Sequence, residues 1–282
     1  MHRCPDALNA RLLIAFVTAL TLLAGCASKP EKEQTEQEIY LEAKKNLDRG
    51  NFITAQATLE ELETRFPFGR FSEQAQLDMM YAQMRGLDYP GAVTTATRFL
   101  RQNPTHVHAD YARYIKGLAN YWMNSGVLVR RSPSNPALRD LASLRDAYAD
   151  FGTLVARHPQ SAYAPDSRAR MLHLRNLMAE QEVANAWYYV RRDACVSALS
   201  RAQHVLSNYP SAPALGDALV IAAECSERLG EAKMAANFKA VLKRNFPAHP
   251  RWRDDGSLDV PEGSDRQQGT WLGMLSFGLL GR

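Results

Sequence analysis

Five prolines organise this sequence. Pro67, Pro104, Pro159, Pro210 and Pro247 follow one another at intervals of 37, 55, 51 and 37 residues. Twelve residues before each stands an alanine: Ala55, Ala92, Ala147, Ala198 and Ala235. Five before each stands an apolar residue: Leu62, Phe99, Leu154, Val205 and Leu242. On a helix these two offsets fall on one stripe, with the small residue at the tightest contact. The proline then stops the helix, because it has no N–H to donate and pushes its predecessor out of the helical region. The chain is an internal repeat of proline-closed helices, and such chains fold as a stack of units.

A helix–turn–helix unit of about 34 residues, with a small residue early in its second helix and a proline at its end, is the tetratricopeptide pattern. The alanine is required where the two helices of a unit cross closely. The first helices supply their own small residue in Ala43, Ala186 and Ala223, while Met80 takes that place in the second unit. The expectation is an all-α superhelical solenoid of five tetratricopeptide-like helix pairs, spanning about 38–67, 72–104, 107–159, 181–210 and 213–247. The long intervals are insertions: a loop at 124–135, with glycine and proline but no helical period, and an extra helix over about 165–180. Thr35 and Glu38 form a capping-box signal for the first helix, which Gly50 closes. Asp88 caps the second helix of unit two, with Pro90 in its first turn. Tyr111, Tyr114, Leu118 and Tyr121 recur at helical spacing. They read either as core or as the aromatic wall of a groove, since first helices line the concave face of such stacks.

Residues 1–25 carry Arg3 and Arg11 ahead of an apolar run, Leu12 to Leu23, too short to span a bilayer; this is a signal peptide. It ends in Leu23-Ala24-Gly25-Cys26, which resembles the bacterial lipobox. That box implies cleavage between Gly25 and Cys26 and a Cys26 bearing S-diacylglycerol and N-palmitoyl groups. Residues 26–37 form a charged tether with little to bury. Ala27 and Ser28 follow the cysteine, with no retaining aspartate, so the expected location is the outer membrane, lipid-anchored and facing the periplasm. Without Arg3, Asp6 and Arg11 the formal net charge falls from +4 to +3, which gives no reason to invoke nucleic acid. Two thiols remain, Cys195 and Cys225, either as buried small residues or as a disulfide between adjacent helices. After Pro247, residues 248–268 read as disordered and 270–282 as a short apolar end.

No catalytic or cofactor site emerges. His106 and His108 lie in a turn without a carboxylate or cysteine at ligand spacing. There is no Gly-x-Ser-x-Gly elbow and no phosphate-binding glycine loop. The carboxylates are spread as solvated partners of Lys and Arg. The expectation is a protein that binds, with no metal and no cofactor.

Asn51-Phe52-x-x-Ala55, Arg65-Phe66-Pro67-Phe68-Gly69, Gln76-Leu77-Asp78, Arg98-Phe99, Asn103-Pro104-Thr105-His106 and Asp110-Tyr111, behind a lipobox, resemble the BamD family. These are the lipoprotein subunits of the outer-membrane β-barrel assembly machinery, and the resemblance covers about 38–247. It implies a scaffold docked to the periplasmic POTRA domains of the barrel subunit BamA, alongside accessory Bam lipoproteins. It also implies recognition of C-terminal signals in unfolded outer-membrane proteins by the first units. A receptor for such a tail needs aromatic walls and cations, which Arg65, Phe66, Phe68, Tyr81, Arg98, Tyr111 and Tyr114 offer; Phe66 and Tyr114 read equally well as packing between repeats. In the fourth unit, Arg191, Arg192 and Arg201 form the candidate partner face. Arg201 stands nine before Pro210, so it turns off the Ala198–Val205 stripe, and it matches a family arginine in the segment resembling the barrel-subunit contact. Because this repeat is widely reused, a periplasmic lipoprotein serving cell-wall or division proteins is the alternative, and an envelope enzyme the third reading.

Overall fold

The computed structural model describes residues 34–123 and 140–260. Gly25, Cys26, the 124–135 insertion and the apolar end at 270–282 lie outside the described residues. Among the described residues there are ten helices: α1 (Glu36–Asp48), α2 (Phe52–Arg65), α3 (Ser72–Arg85), α4 (Tyr89–Gln102), α5 (Ala109–Trp122), α6 (Ala142–Arg157), α7 (Ala164–Arg191), α8 (Cys195–Asn208), α9 (Leu215–Arg228) and α10 (Ala232–Asn245). Each packs on the next, and first helices of neighbouring units also touch, α3 on α5 and α7 on α9. The row of closer-packed first helices is the inner side of the solenoid.

The proline ruler is a ruler of burial. Ala55, Ala92, Ala147 and Ala198 are fully buried, Ala235 nearly so, and Leu62, Phe99, Leu154, Val205 and Leu242 are fully buried. All five helices end alike. Phe66, Asn103, His158, Tyr209 and Phe246 leave the helix at φ between −127° and −135° and ψ between 49° and 62°. The N–H of each donates to the carbonyl four residues back, at 2.7–2.9 Å. The turns after the prolines also repeat: Gly69, His106, Ser161, Ala212 and His249 donate to those same five cap carbonyls.

Within four units the first helix reverses into the second through one left-handed residue: Gly50, Leu87, Asp193 and Gly230, at φ 76°, 62°, 58° and 83°. The next N–H reaches back five residues, as from Asn51 to Asn46 (2.9 Å) and Asp88 to Gln83 (2.8 Å), which is the Schellman closure. Thr35 and Glu38 form the full capping box, and Asp88 caps α4 through the Gly91 N–H. In the third unit the crossing is set by Gly117 of α5, buried against the ring of Phe151 in α6.

Two expectations change. The extra helix and the first helix of unit four are one 28-residue helix, α7. After Pro165, in its first turn, the sequence to Arg191 contains neither proline nor glycine, so nothing interrupts the backbone ladder. Its early part packs Leu174 against Ala147 and Phe151; its later part packs Val183, Ala186 and Val190 against Ala198, Ala202 and Val205. Residues 248–260 are not a disordered tail. Trp252 bridges Leu258, its indole N–H donates to the Phe246 carbonyl (3.3 Å), and Leu258 is buried against Leu219, Val220 and Leu242. The fifth unit also departs at the position eight before its proline. Leu59, Ala96, Phe151 and Ala202 are fully buried there, whereas Lys239 is part-exposed and ion-paired to Glu227.

Candidate functional site

The inner side carries a row of aromatic residues contributed by successive first helices. Tyr40 of α1 stacks on Phe71 at 4.5 Å and 11°. Tyr111 and Tyr114 of α5 meet Tyr163, which precedes α7, at 5.9 and 4.6 Å. Helical spacing puts Gln74, Leu77, Asp78 and Tyr81 on one stripe of α3. With His108, Tyr111 and Tyr163 they enclose a cleft of about 220 Å³.

Carboxylates brace this row. Asp78, nearly buried, accepts from the Tyr40 hydroxyl (3.1 Å) and Gln74 Nε2 (3.2 Å), and Lys44 Nζ lies 3.5 Å away. Burial, with the Asp78 charge, pushes the Tyr40 hydroxyl up to about 12. Tyr111 is pushed up further, first by burial and then by the fields of Tyr163, Asp78 and Tyr81. Tyr114 donates to Asp166 (2.8 Å) and is raised to about 12 by burial and that bond. Burial opposes the charge on Asp166, but bonds from Arg170 and Tyr114 hold its carboxyl below the usual range. Arg170 also lies 4.9 Å over the Tyr121 ring, so α5 and α7 are joined by paired charges and rings, as α1 and α3 are through Asp78.

The sequence-predicted substrate residues fall in four places. Tyr81 and Tyr111 share the cleft. Tyr114 stands beside it, packed on Phe151 within its own unit and on Tyr163 in the turn to α7. Arg65 is held at the end of α2 by Glu61 (2.8 Å) and the Gln34 carbonyl (3.0 Å), 5.5 Å over Phe66. Phe66 packs half-buried on Ile39, Leu59 and Leu62, whereas Phe68 is 98% exposed. Arg98 lies elsewhere: it pairs with Glu63 at 2.7 Å in a polar groove between α2 and α4, the second helices of units one and two. Arg98 thus does not share a surface with Tyr111 and Tyr114, beside which the sequence reading grouped it. Facing out from the second-helix row, it meets the neighbouring unit's acid instead of the aromatic row.

In the fourth unit Arg191 is exposed, and Arg192 lies 4.5 Å over the Tyr188 ring. Arg201 does turn off the packing stripe, but it is not free: Glu182 of α7 holds it at 3.0 Å. Sequence reading missed Tyr40, Asp78 and Tyr163 as members of the inner face. An aspartate flanked by Leu77 and Met79 inside an apolar helix was the available signal, since a buried carboxylate requires partners. Among the described residues no group of three or more His, Cys, Asp or Glu is placed to hold a metal ion, and no helix is long and apolar enough to cross a membrane.

Comparison with known proteins gives a consistent set. A family model described as outer membrane lipoprotein, YfiO, matches residues 32–241. The outer membrane protein assembly factor BamD of Vibrio cholerae is 35% identical over 234 residues, 82% of this chain and 97% of that protein. The factor of the same name from Xylella fastidiosa strain Temecula1 is 33% identical over 243 residues, 85% of this chain and 83% of its own. That of Neisseria meningitidis serogroup A is 32% identical over 251 residues, 85% of this chain and 93% of its own.

Proposed function

The chain belongs to the BamD family of outer membrane lipoproteins, and from that premise we propose that it is a non-enzymatic scaffold for assembling β-barrel outer-membrane proteins. In this reading the signal peptide is removed between Gly25 and Cys26, and the acylated Cys26 holds the solenoid on the periplasmic side of the outer membrane. Three acyl chains exceed the two membrane signals that stable anchoring needs.

The inner face of the first three units receives C-terminal segments of unfolded barrel proteins. The observation that carries this is the row of rings along α1, α3 and α5, Tyr40 and Tyr111 half-buried and Tyr81 exposed, with Tyr81 and Tyr111 sharing one cleft. Rings held by neighbouring carboxylates offer an incoming aromatic side chain a pre-set surface, with little entropy left to lose. The fourth unit, through Arg191, Arg192 and Arg201, docks the POTRA domains of a BamA-type barrel subunit, with accessory Bam lipoproteins in the same assembly. Arg201 is held in place for that contact by Glu182, and its side chain remains 46% exposed.

Purification of the intact lipoprotein from envelopes in mild detergent tests the assignment. The expected co-purifying proteins are a barrel subunit and unfolded outer-membrane proteins, and Arg201→Glu lowers recovery of the barrel subunit while the helical circular dichroism is unchanged. Recovery of cell-wall or division proteins in their place would overturn it.

A further inference from the structure

The cleft at Tyr81 and Tyr111 has the wrong charge for a terminal carboxylate. No lysine or arginine lines it, and its single carboxylate is Asp78. Two charges stand outside the lining: Asp110 accepts from Ser161 at 2.6 Å in the turn that sets Tyr163, and Arg85 donates to the Tyr81 hydroxyl at 2.9 Å and lies 5.7 Å over its ring. Among the described residues this leaves the Tyr111 and Tyr163 rings and Asp78 without an arginine of this chain. The Asp78 side chain is 13% exposed, so one edge of it is open to the cleft. Its Oδ2 is engaged by Tyr40 and by Lys44 from α1, but its Oδ1 accepts only from Gln74. A carboxylate oxygen can accept two bonds, so Oδ1 can take another donor. Lys44 neutralises Asp78 only in part, at 3.5 Å and with 41% of its own side chain exposed.

Phenol rings arranged around a carboxylate are a receptor for positive charge. The ring quadrupoles attract a cation, and the carboxylate supplies a charge-assisted hydrogen bond. About 220 Å³ suits a guanidinium or ammonium head with part of its stem. Resting on the reading of this face as the substrate surface, we propose that the cleft recognises the cationic side chain, arginine or lysine, of an extended polypeptide. The terminal carboxylate of that polypeptide lies elsewhere. Tyr81, Tyr111 and Tyr163 form the walls, Asp78 offers its Oδ1, and Lys44 on Oδ2 is the internal cation that competes for the same charge.

The test uses the full-length protein in detergent micelles and two labelled ten-residue synthetic peptides. Both copy the last strand of a porin; one carries a single arginine and its twin carries citrulline at that place. Fluorescence anisotropy should show the arginine peptide binding about tenfold tighter, the effect of one partly desolvated cation among rings. Asp78→Asn should abolish the difference. Lys44→Gln should widen it by removing the competitor, which a merely structural role for Asp78 would not do. The comparison of peptides on the parent protein requires no variant to fold. Equal binding of the two peptides by the parent would overturn the cation site while leaving the inner face a peptide surface. Failure of both to bind would overturn the surface reading and the cation site together.

Discussion

Gly117→Ala is the substitution on which the packing account can be tested most sharply. A methyl group there would lie 2.7 and 2.8 Å from Cε1 and Cδ1 of Phe151. That ring is fully buried, with Leu174 and Tyr114 packed in the same cluster, so it has no space to retreat into. Overpacking of this kind costs about 1–3 kcal/mol. Removing a glycine from a helix interior returns about 1 kcal/mol, and the clash outweighs it, leaving a net loss of about 1 kcal/mol. Gly152, in the facing helix α6, supplies the control. Its added methyl would meet only the Met171 methyl, at 3.4 Å, an ordinary contact with a flexible side chain. Gly152→Ala should therefore stabilise by about 0.5–1 kcal/mol. For a chain of this size the two variants should move the thermal midpoint in opposite directions, by about 2–4 °C per kcal/mol. Circular dichroism at 222 nm on parent, both variants and the Gly117→Ala, Phe151→Leu double variant measures this, and the double variant should recover part of the loss. A Gly117→Ala protein as stable as the parent, or stabilised like Gly152→Ala, would refute the tight crossing.

Three further outcomes are expected. Leu87 is 70% exposed and sits at φ 62°, where a branched residue is strained by about 1–2 kcal/mol; Leu87→Gly should raise stability to denaturant by about 0.5–1 kcal/mol after the entropic cost of glycine, and a lowered midpoint would show that the side chain contributes packing. Tyr40 and Tyr114 are raised to about 12 in the fold against about 10 in an unfolded chain. The unfolded state thus releases these protons first, so stability is intact below pH ~10 and falls as pH rises towards ~12; pairing Tyr40→Phe with Tyr114→Phe should flatten that fall in alkaline denaturation profiles, and an unchanged slope would count against it. Cys195 and Cys225 are free and buried together, and the Cys225 thiol is pushed up by burial and by its bond with Cys195; native protein at pH 8 should not react with Ellman's reagent, both thiols should react in guanidinium, and rapid native labelling would refute the burial.

Much of the fold was legible because proline and alanine are read by geometry alone. A proline stops a helix wherever it stands, and an alanine at a close crossing has no larger substitute, so the Ala–Pro offsets carried the packing stripe without knowledge of neighbours. The break expected near Glu180 was illegible for the opposite reason: repeat length suggested a turn where no residue disfavours helix, and local backbone preference prevailed over period. Residues 248–260 look charged and broken by Pro250 and Gly256, yet Trp252 and Leu258, six apart, close over the end of the stack. The site was harder to read. Tyr81 and Tyr111 could be placed by helical phase within one unit, whereas Arg98 depended on Glu63, 35 residues earlier, and Arg201 on Glu182 in the preceding helix. Ion pairs between helices, whether across units or within one, follow from how the helices pack, which a single helix's periodicity does not contain.

The turn after Pro247 makes the same backbone bond that elsewhere launches another helix pair, from the His249 N–H to the Phe246 carbonyl. What ends the array there is side-chain chemistry: Lys239 on the surface that earlier units bury, and a tryptophan–leucine lid in place of a helix. The number of units is thus decoupled from the way the stack ends. Such a protein can grow by duplication in its interior, each new copy meeting familiar faces on both sides, while its C-terminal edge refuses further stacking. The same logic makes that edge resistant to head-to-tail polymerisation, a hazard for any repeat protein held at high local density on a membrane.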